Sequence, residues 1–245
     1  MVLVVGGKYH DFDFARLELL KLLAEHDQFR VRVQPDYEDT SGLAEASLLV
    51  SYTCDRRPSP AAQSSIREWV EAGGRWLALH GTNAALGDVS VRPVATPRIF
   101  PEWAETVGSQ FIAHPPIAPY QVDISDPDHW LVAGLEPFVA TDELYLSEYP
   151  DRQALLPLLH TTWQGTAPGF VDSDWTATEA QHLVMYLRPL GAGGVLYNTL
   201  GHCRGHYDMA PVMDYYPTIE RGSWDLPVFY ELLRRSLRWA RGEQA

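Results

Sequence analysis

Four short strand-like runs in the first eighty residues, apolar at 2–5, 48–50 and 76–79 and alternating at 29–33, constrain the fold more than any other feature of this chain. After the first run, Phe14, Leu17, Leu20 and Ala24, with Leu19 and Leu23 beside them, give a broad apolar helical face. Asp11 or Asp13 stands where that helix needs a cap. Before the fourth run, Ser59-Pro60 supplies a cap residue and a first-turn proline. Ile66, Trp69 and Val70 mark that helix's buried face, and Gly73-Gly74 stops it. Such βα alternation predicts a parallel sheet with helices on both faces. The fourth run, Trp76 to Leu79, is apolar throughout, as in a strand buried on both sides. It stops on His80, with Gly81 next. Ligands of open α/β sheets bind beyond the carboxyl ends of the strands, so His80 is well placed for chemistry.

Beyond Gly81 the pattern loosens. Residues 83–87 read as a helical turn, 101–107 as a short helix, and 108–119 as irregular. The proline and glycine content of 82–119 predicts a segment that covers the carboxyl edge of the sheet rather than extending it. Strands are expected at 120–124 and 155–161, and a hairpin of 183–187 with 195–199 around the glycines of 191–194. Residues 164–177 read as a polar surface loop and 204–222 as a long irregular segment. Asp225 is expected to cap a last helix with Phe229, Leu232, Leu233, Ser236, Leu237 and Ala240 on its buried face. No repeat or linker divides the chain, so residues 1–245 are expected to form a single domain.

The formal net charge of −13 argues against nucleic-acid binding, which draws its affinity from phosphate neutralisation. No apolar run reaches membrane-spanning length, and no leader-like segment precedes the first strand, so a cytoplasmic protein is expected. The two cysteines suggest no disulfide framework. Composition neither supports nor excludes a homo-oligomer.

Chemistry falls on the histidines near strand ends and in loops: His10 after Gly6-Gly7, His80, His114, and His202 after Gly201. Each alone reads as a satisfied structural residue; the four together point to a site. Imidazole near its ordinary pKa moves protons or binds metal. Glu143 is the natural carboxylate partner. His26, His129, His160, His182 and His206 read as structural. Cys54 reads as a small buried residue rather than a nucleophile, and there is no G-x-S-x-G or Walker A motif.

In this order, Gly6-Gly7 with His10, Leu79-His80-Gly81, Gly108 with Phe111 and His114-Pro115, Asp142-Glu143-Leu144-Tyr145, and Leu200-Gly201-His202 resemble the ThuA-like (trehalose utilisation) family. The resemblance spans nearly the whole chain. It implies a flavodoxin-like, class I glutamine amidotransferase-like α/β fold, a three-layer sandwich with a mostly parallel sheet. True amidotransferases hold a cysteine where this chain has His80, and His202 is followed by Cys203-Arg204. Cysteine-dependent amidotransferase chemistry is therefore not expected. The family connection implies catabolism of trehalose-type disaccharides, on a glycoside or keto-sugar intermediate. His80, His114, Glu143 and His202 are expected to carry catalysis. Gly7, His10, Gly81, Asn83 and Tyr145 are expected to bind a small carbohydrate. The cofactor is left open; a divalent metal such as zinc takes these ligand types. A non-catalytic carbohydrate-binding or regulatory module on the same fold is the competing reading. Clustered histidines in a deep pocket favour the enzyme; a shallow groove of Trp and Tyr with dispersed histidines favours the module.

Overall fold

Successive side chains of a strand point to opposite faces of its sheet, and Val2 to Val5 use both. Val2 and Val4 pack with Ile66, Val70, Trp103 and Val107 on one side, and Leu3 and Val5 pack with Leu19, Leu22, Leu232 and Leu233 on the other. The result is three layers, seen in a computed structural model that describes residues 1–174, 181–210 and 212–243. The elements run β1 (Val2–Gly7), α1 (Phe12–Leu23), β2 (Arg32–Gln34), β3 (Leu48–Cys54), α2 (Pro60–Glu71), β4 (Arg75–Leu79) and α3 (Pro101–Val107). Next come β5 (Gln110–Ala113), β6 (Ala118–Ile124), β7 (Phe138–Asp142), β8 (Leu146–Glu148) and β9 (Leu156–Thr162). The order closes with β10 (Gln181–Leu190), β11 (Gly193–Asn198) and α4 (Pro227–Ala240). Helices α1 and α4 cover one face, α2 and α3 the other.

The main sheet has the order β2-β1-β3-β4-β11-β10-β9-β6-β7. From β2 to β11 every pairing is parallel. From β11 onward every pairing is antiparallel. The α/β sandwich is as expected, but its parallel character belongs to the half built from β1–β4 and β11. The tight turn between β10 and β11 explains the switch, because a two-residue connection can only join antiparallel neighbours. Asp11 caps α1 by accepting from the Phe14 N–H, and Ser59 caps α2 by accepting from the Ala62 N–H.

Several local expectations need correction. The edge strand β2 starts three residues later than the run at 29–33, and β3 continues four residues past Val50, buried throughout. The helical turn after β4 covers His80–Asn83, not 83–87. The region expected to be irregular at 108–119 contains β5, which pairs with β8 in a separate two-stranded sheet. Residues 82–117 stay outside the main sheet. Asp225 does not cap α4: it belongs to a 3-10 turn, Gly222–Asp225, which places Leu226 at the cap position with no side-chain bond. Of the loop expected at 164–177, residues 175–177 lie outside the described residues.

Candidate functional site

Because β1, β4 and β11 run parallel, their carboxyl ends open on one edge of the sheet. His10 follows β1, His80 follows β4 directly, and His202 follows β11 by four residues. Both Tyr9 and His80 hold positive φ, 72° and 45°, as the chain leaves its strands. Gly7 and Gly81 permit this edge to pack rather than opening it to a ligand. A Cβ on Gly7 would lie 2.0 Å from the Cys54 carbonyl oxygen, and one on Gly81 would lie 2.6 Å from that of Thr53.

Glu143 arrives from β7, and its neighbour Asp142 locks the arrangement. The Asp142 carboxylate accepts from the N–H groups of Glu143, Gly201, His202 and Ser223 and from the Ser223 hydroxyl. One buried side chain thereby ties β7 to the turn after β11.

His10, His80, Glu143 and His202 are all buried, and each offers one ligand atom within 4.8 Å of the others. His10 Nε2 lies 2.9 Å from His80 Nε2, His80 Nε2 lies 3.5 Å from Glu143 Oε2, and His202 Nδ1 lies 3.3 Å from Glu143 Oε1. The opposite ring nitrogens decide what faces inward. His10 Nδ1 is 3.2 Å from the Lys8 carbonyl oxygen, and His80 Nδ1 is 2.7 Å from that of Thr199. A carbonyl only accepts, so both Nδ1 atoms carry the proton and both Nε2 atoms of the neutral rings are lone pairs. His202 Nε2 lies 2.8 Å from Glu220 Oε2, which fixes a proton there and turns Nδ1 toward Glu143. That Nδ1 is buried without a hydrogen-bond partner.

Charge follows the same geometry. Burial opposes the charge on Glu143, yet His202, His114 and His10 hold its carboxyl well below the usual range. Burial pushes His10 down to about 3, against the pull of Glu143. Burial also opposes charge on His202, but Glu143 and Glu220 raise it to about 9. Arg204 bonds both Glu143 and Glu220, so one guanidinium faces two carboxylates. The charge on His202 balances the second carboxylate, and a bound cation would take the place of that proton.

Ligands 2.0–2.2 Å from a tetrahedral zinc lie about 3.4 Å from one another. The separations of 2.9 Å between the His10 and His80 nitrogens and of 3.7 and 3.5 Å from these to Glu143 Oε2 scatter about that value, with His202 Nδ1 3.3 Å from the other carboxylate oxygen. Three ring nitrogens and a carboxylate, each ring held from behind by an acceptor, fit a divalent metal that displaces the His202 proton.

A cleft of about 560 Å³ opens onto this set. His10, His114, Glu143, Tyr145, Arg204 and Glu220 are among its lining residues. His80 and His202 sit behind them, at 1% and 0% exposure. His114 stands at the cleft surface with its Nε2 3.8 Å from Glu143 Oε1. The Tyr145 hydroxyl lies 3.3 Å from His80 Nε2. Gly7, Gly81 and Asn83 do not line the cleft; Asn83 is buried and donates to the Ser109 and Ser147 hydroxyls. Among the described residues no Trp lines it. Cys54 does, with burial holding its thiol well above the ordinary range.

Sequence reasoning missed Asp142, Arg204 and Glu220 as parts of the site. Asp142 stands directly before Glu143, but its partners are backbone N–H groups that no side-chain pattern announces. Glu220 comes from the irregular segment and meets Arg204 through paired backbone hydrogen bonds of 2.9 and 2.8 Å.

The chain resembles two crystal structures of ThuA-like proteins. One, from Parabacteroides merdae, has 17% identity and a TM-score of 0.67 over 99% of this chain and 90% of that one. The other, from Bacteroides uniformis, has 16% identity and a TM-score of 0.67 over 98% and 91%. A protein described as a GMP synthase component from Thermoplasma acidophilum shares the fold at 9% identity, with a TM-score of 0.52 over 99% and 94%. Comparison with individually curated proteins gives no match. No helix among the described residues is long and apolar enough to cross a membrane. The profile of the ThuA family, described as trehalose utilisation, matches residues 1–216, and the chain belongs to that family.

Proposed function

We infer that this chain is a metal-dependent enzyme of disaccharide catabolism, acting on a glycoside or keto-sugar intermediate. His10, His80, Glu143 and His202 would hold the metal, zinc by its donor set. The observation that carries this reading is the fixed tautomers. Lys8, Thr199 and Glu220 take up the outward N–H of three rings, so the inner nitrogens of all three and one carboxylate converge. A proton on His202 satisfies Glu143 but leaves the His10 and His80 lone pairs facing each other. A cation at the centre satisfies all four. A non-catalytic module has no need of that convergence.

When bound, the metal supplies Lewis acidity toward a sugar carbonyl or hydroxyl. The chain's own residues do the rest. His114 donates its Nδ1 proton to the Pro115 carbonyl at 2.8 Å, which leaves Nε2 as a proton acceptor at the cleft surface. Tyr145 places a hydroxyl at the boundary between cleft and metal set. Arg204 bonds both Glu143 and Glu220 and so holds the two carboxylates in position.

The test is metal analysis of the purified chain, followed by zinc titration of the EDTA-treated protein and assay on disaccharides and their keto derivatives. One zinc per chain and activity that disappears with EDTA and returns with zinc are expected. Full activity in a metal-stripped protein would defeat the metal-dependent reading.

A further inference from the structure

The cleft holds more positive charge than its carboxylates neutralise. At the metal set the charged groups are bonded to one another: Arg204 donates to Glu143 and Glu220, and Glu220 also accepts from His202 and Tyr216. Arg204 neutralises one of the two carboxylates, and a divalent ion more than neutralises the other. Arg92 also lines the cleft. Among the described residues its guanidinium has neither a carboxylate partner nor a hydrogen bond.

Neighbouring contacts place that guanidinium. A Cβ on Gly169 would lie 3.7 Å from Arg92 Nη1. The next residue, Phe170, packs its ring with the centroid 4.9 Å from that of His114, whose Nε2 is 3.8 Å from Glu143 Oε1. One wall of the cleft therefore runs from Glu143 through His114 and Phe170 to a free cation. Arg92 stands on a loop closed by the Gly87 N–H on the Ala95 carbonyl. Beside the start of that loop, Lys8 and Arg57 share the single buried carboxylate of Asp55, and Arg57 also donates to the Leu86 carbonyl. Asp88, on the loop itself, accepts from the Ser90 N–H and hydroxyl. Three cations thus meet two carboxylates here.

The chain as a whole carries a formal net charge of −13, so the cleft reverses the sign of its surroundings. A cleft of one sign concentrates ligands of the other. An unpaired guanidinium also presents a planar fork that matches a carboxylate or phosphate with two parallel hydrogen bonds. A neutral sugar hydroxyl gains little from either. Resting on the proposed carbohydrate reading, we propose that the substrate is an anionic disaccharide, whose carboxylate or phosphate group binds Arg92 while its sugar oxygens meet His114, Tyr145 and the metal set. The cleft volume of about 560 Å³ is of the size that holds such a molecule. Arg92 is then the residue that sets specificity, and its exposed side chain is free to close on the ligand.

The experiment is calorimetric titration of the zinc-loaded chain with four ligands. These are trehalose, trehalose carrying one phosphate, trehalose with one primary hydroxyl oxidised to a carboxylate, and inorganic phosphate. A charged sugar is expected to bind about tenfold or more tighter than trehalose at low salt, with the preference narrowing as salt rises. A preference for both charged sugars supports the proposal, and a preference for one of them supports it and names the group. Arg92→Gln is expected to reduce the preference to about threefold or less, and Arg92→Lys to keep part of it, because the charge stays while the fork is lost. Trehalose binding as tightly as both charged sugars overturns the anionic substrate and leaves the carbohydrate reading standing. A preference that survives Arg92→Gln does the same, because the anion then sits elsewhere. Inorganic phosphate binding as tightly as the phosphorylated sugar shows that the sugar contributes nothing, and overturns the carbohydrate reading together with the proposal. Absence of binding by all three sugars at millimolar concentration overturns both as well.

Discussion

The floor of the cleft and its walls are built by opposite rules. The floor histidines leave the ends of three parallel strands, are almost fully buried, and have their rings held by main-chain carbonyls or a carboxylate. The walls come from segments outside the main sheet, are mostly apolar, and include residues as exposed as Met213. Regular strands fix a polar constellation to within a hydrogen-bond length, which the chemistry demands. Loops shape the space around it, which selects the substrate. Changes in the floor should therefore alter metal binding and stability, and changes in the walls should alter which ligand enters.

Asp142 is where the two regions meet, and breaking it should have the largest effect. Asp142→Ala removes the acceptor for four backbone N–H groups and one hydroxyl, all buried. Unsatisfied buried donors are expensive, so a loss of about 4–5 kcal/mol in denaturant unfolding is expected. Zinc affinity should fall with it, because His202 and Glu143 lose their common anchor. A loss under about 1 kcal/mol would show that the turn after β11 holds its shape without the clasp.

The same division explains what could be read from the sequence. His10, His80 and His202 were legible because each follows a local signal, an apolar run that ends near a glycine, and parallel strands place such ends on one edge. Their convergence follows from topology alone. Glu220 was illegible because its partner His202 lies eighteen residues away across an irregular segment. No periodicity in that segment reports where it folds. Gly7, Gly81 and Asn83 sit beside the site in sequence yet serve packing, since closeness to a strand end does not say which side a residue faces. The antiparallel half was only partly legible: its hairpin carries a glycine turn, whereas β5 and β8 are short pieces joined across the chain.

The pH dependence of stability should separate metal-free from metal-loaded protein. In the metal-free chain His202 is raised to about 9. Its stabilising contribution is complete below the ordinary histidine value of about 6.5 and is lost as pH rises through about 9. His10 is lowered to about 3, so acidification below about 6.5 favours the unfolded chain, which binds the proton more readily. Metal in place of the His202 proton removes the alkaline loss. The gap in unfolding free energy between zinc-loaded and EDTA-treated protein should widen by ~3 kcal/mol from pH 6.5 to 9. Parallel stability curves over that range would show that His202 is not the group that exchanges its proton for metal.

Glu220→Gln sharpens the comparison within the floor. The variant keeps an oxygen that accepts the His202 Nε2 proton and loses the charge that makes the ring a stronger donor. Such changes behind a ligand cost about 10–100-fold in metal affinity. His80→Ala, which removes a ligand outright, should cost more. Both are read by competition with a chromogenic zinc chelator. If Glu220→Gln left zinc affinity unchanged while His80→Ala abolished it, the outer carboxylate would have no part in the centre.

The smallest expected effect compares two helix starts. Ser59 sits in an extended conformation before α2, with φ −58° and ψ 156°, and its side chain accepts from the Ala62 N–H at 3.3 Å. Pro60 follows at the first helical position, so the chain enters α2 already shaped for it. Asp225 has the residue type for the same task before α4, but the 3-10 turn from Gly222 to Asp225 shifts the register by one residue. Leu226 takes the cap position, its own N–H bonded to the Ser223 carbonyl, and Pro227 starts the helix without a donor that needs a cap. Ser59→Ala should therefore lower stability by about 1 kcal/mol, and Asp225→Ala by less than about 0.5 kcal/mol. Thermal unfolding of the two variants side by side gives the comparison. An equal loss would mean that Asp225 stabilises α4 through the charge it places near the helix start, since a carboxylate there is favourable without any hydrogen bond. High salt would then erase the Asp225 effect and leave that of Ser59, because only the former is carried by long-range charge.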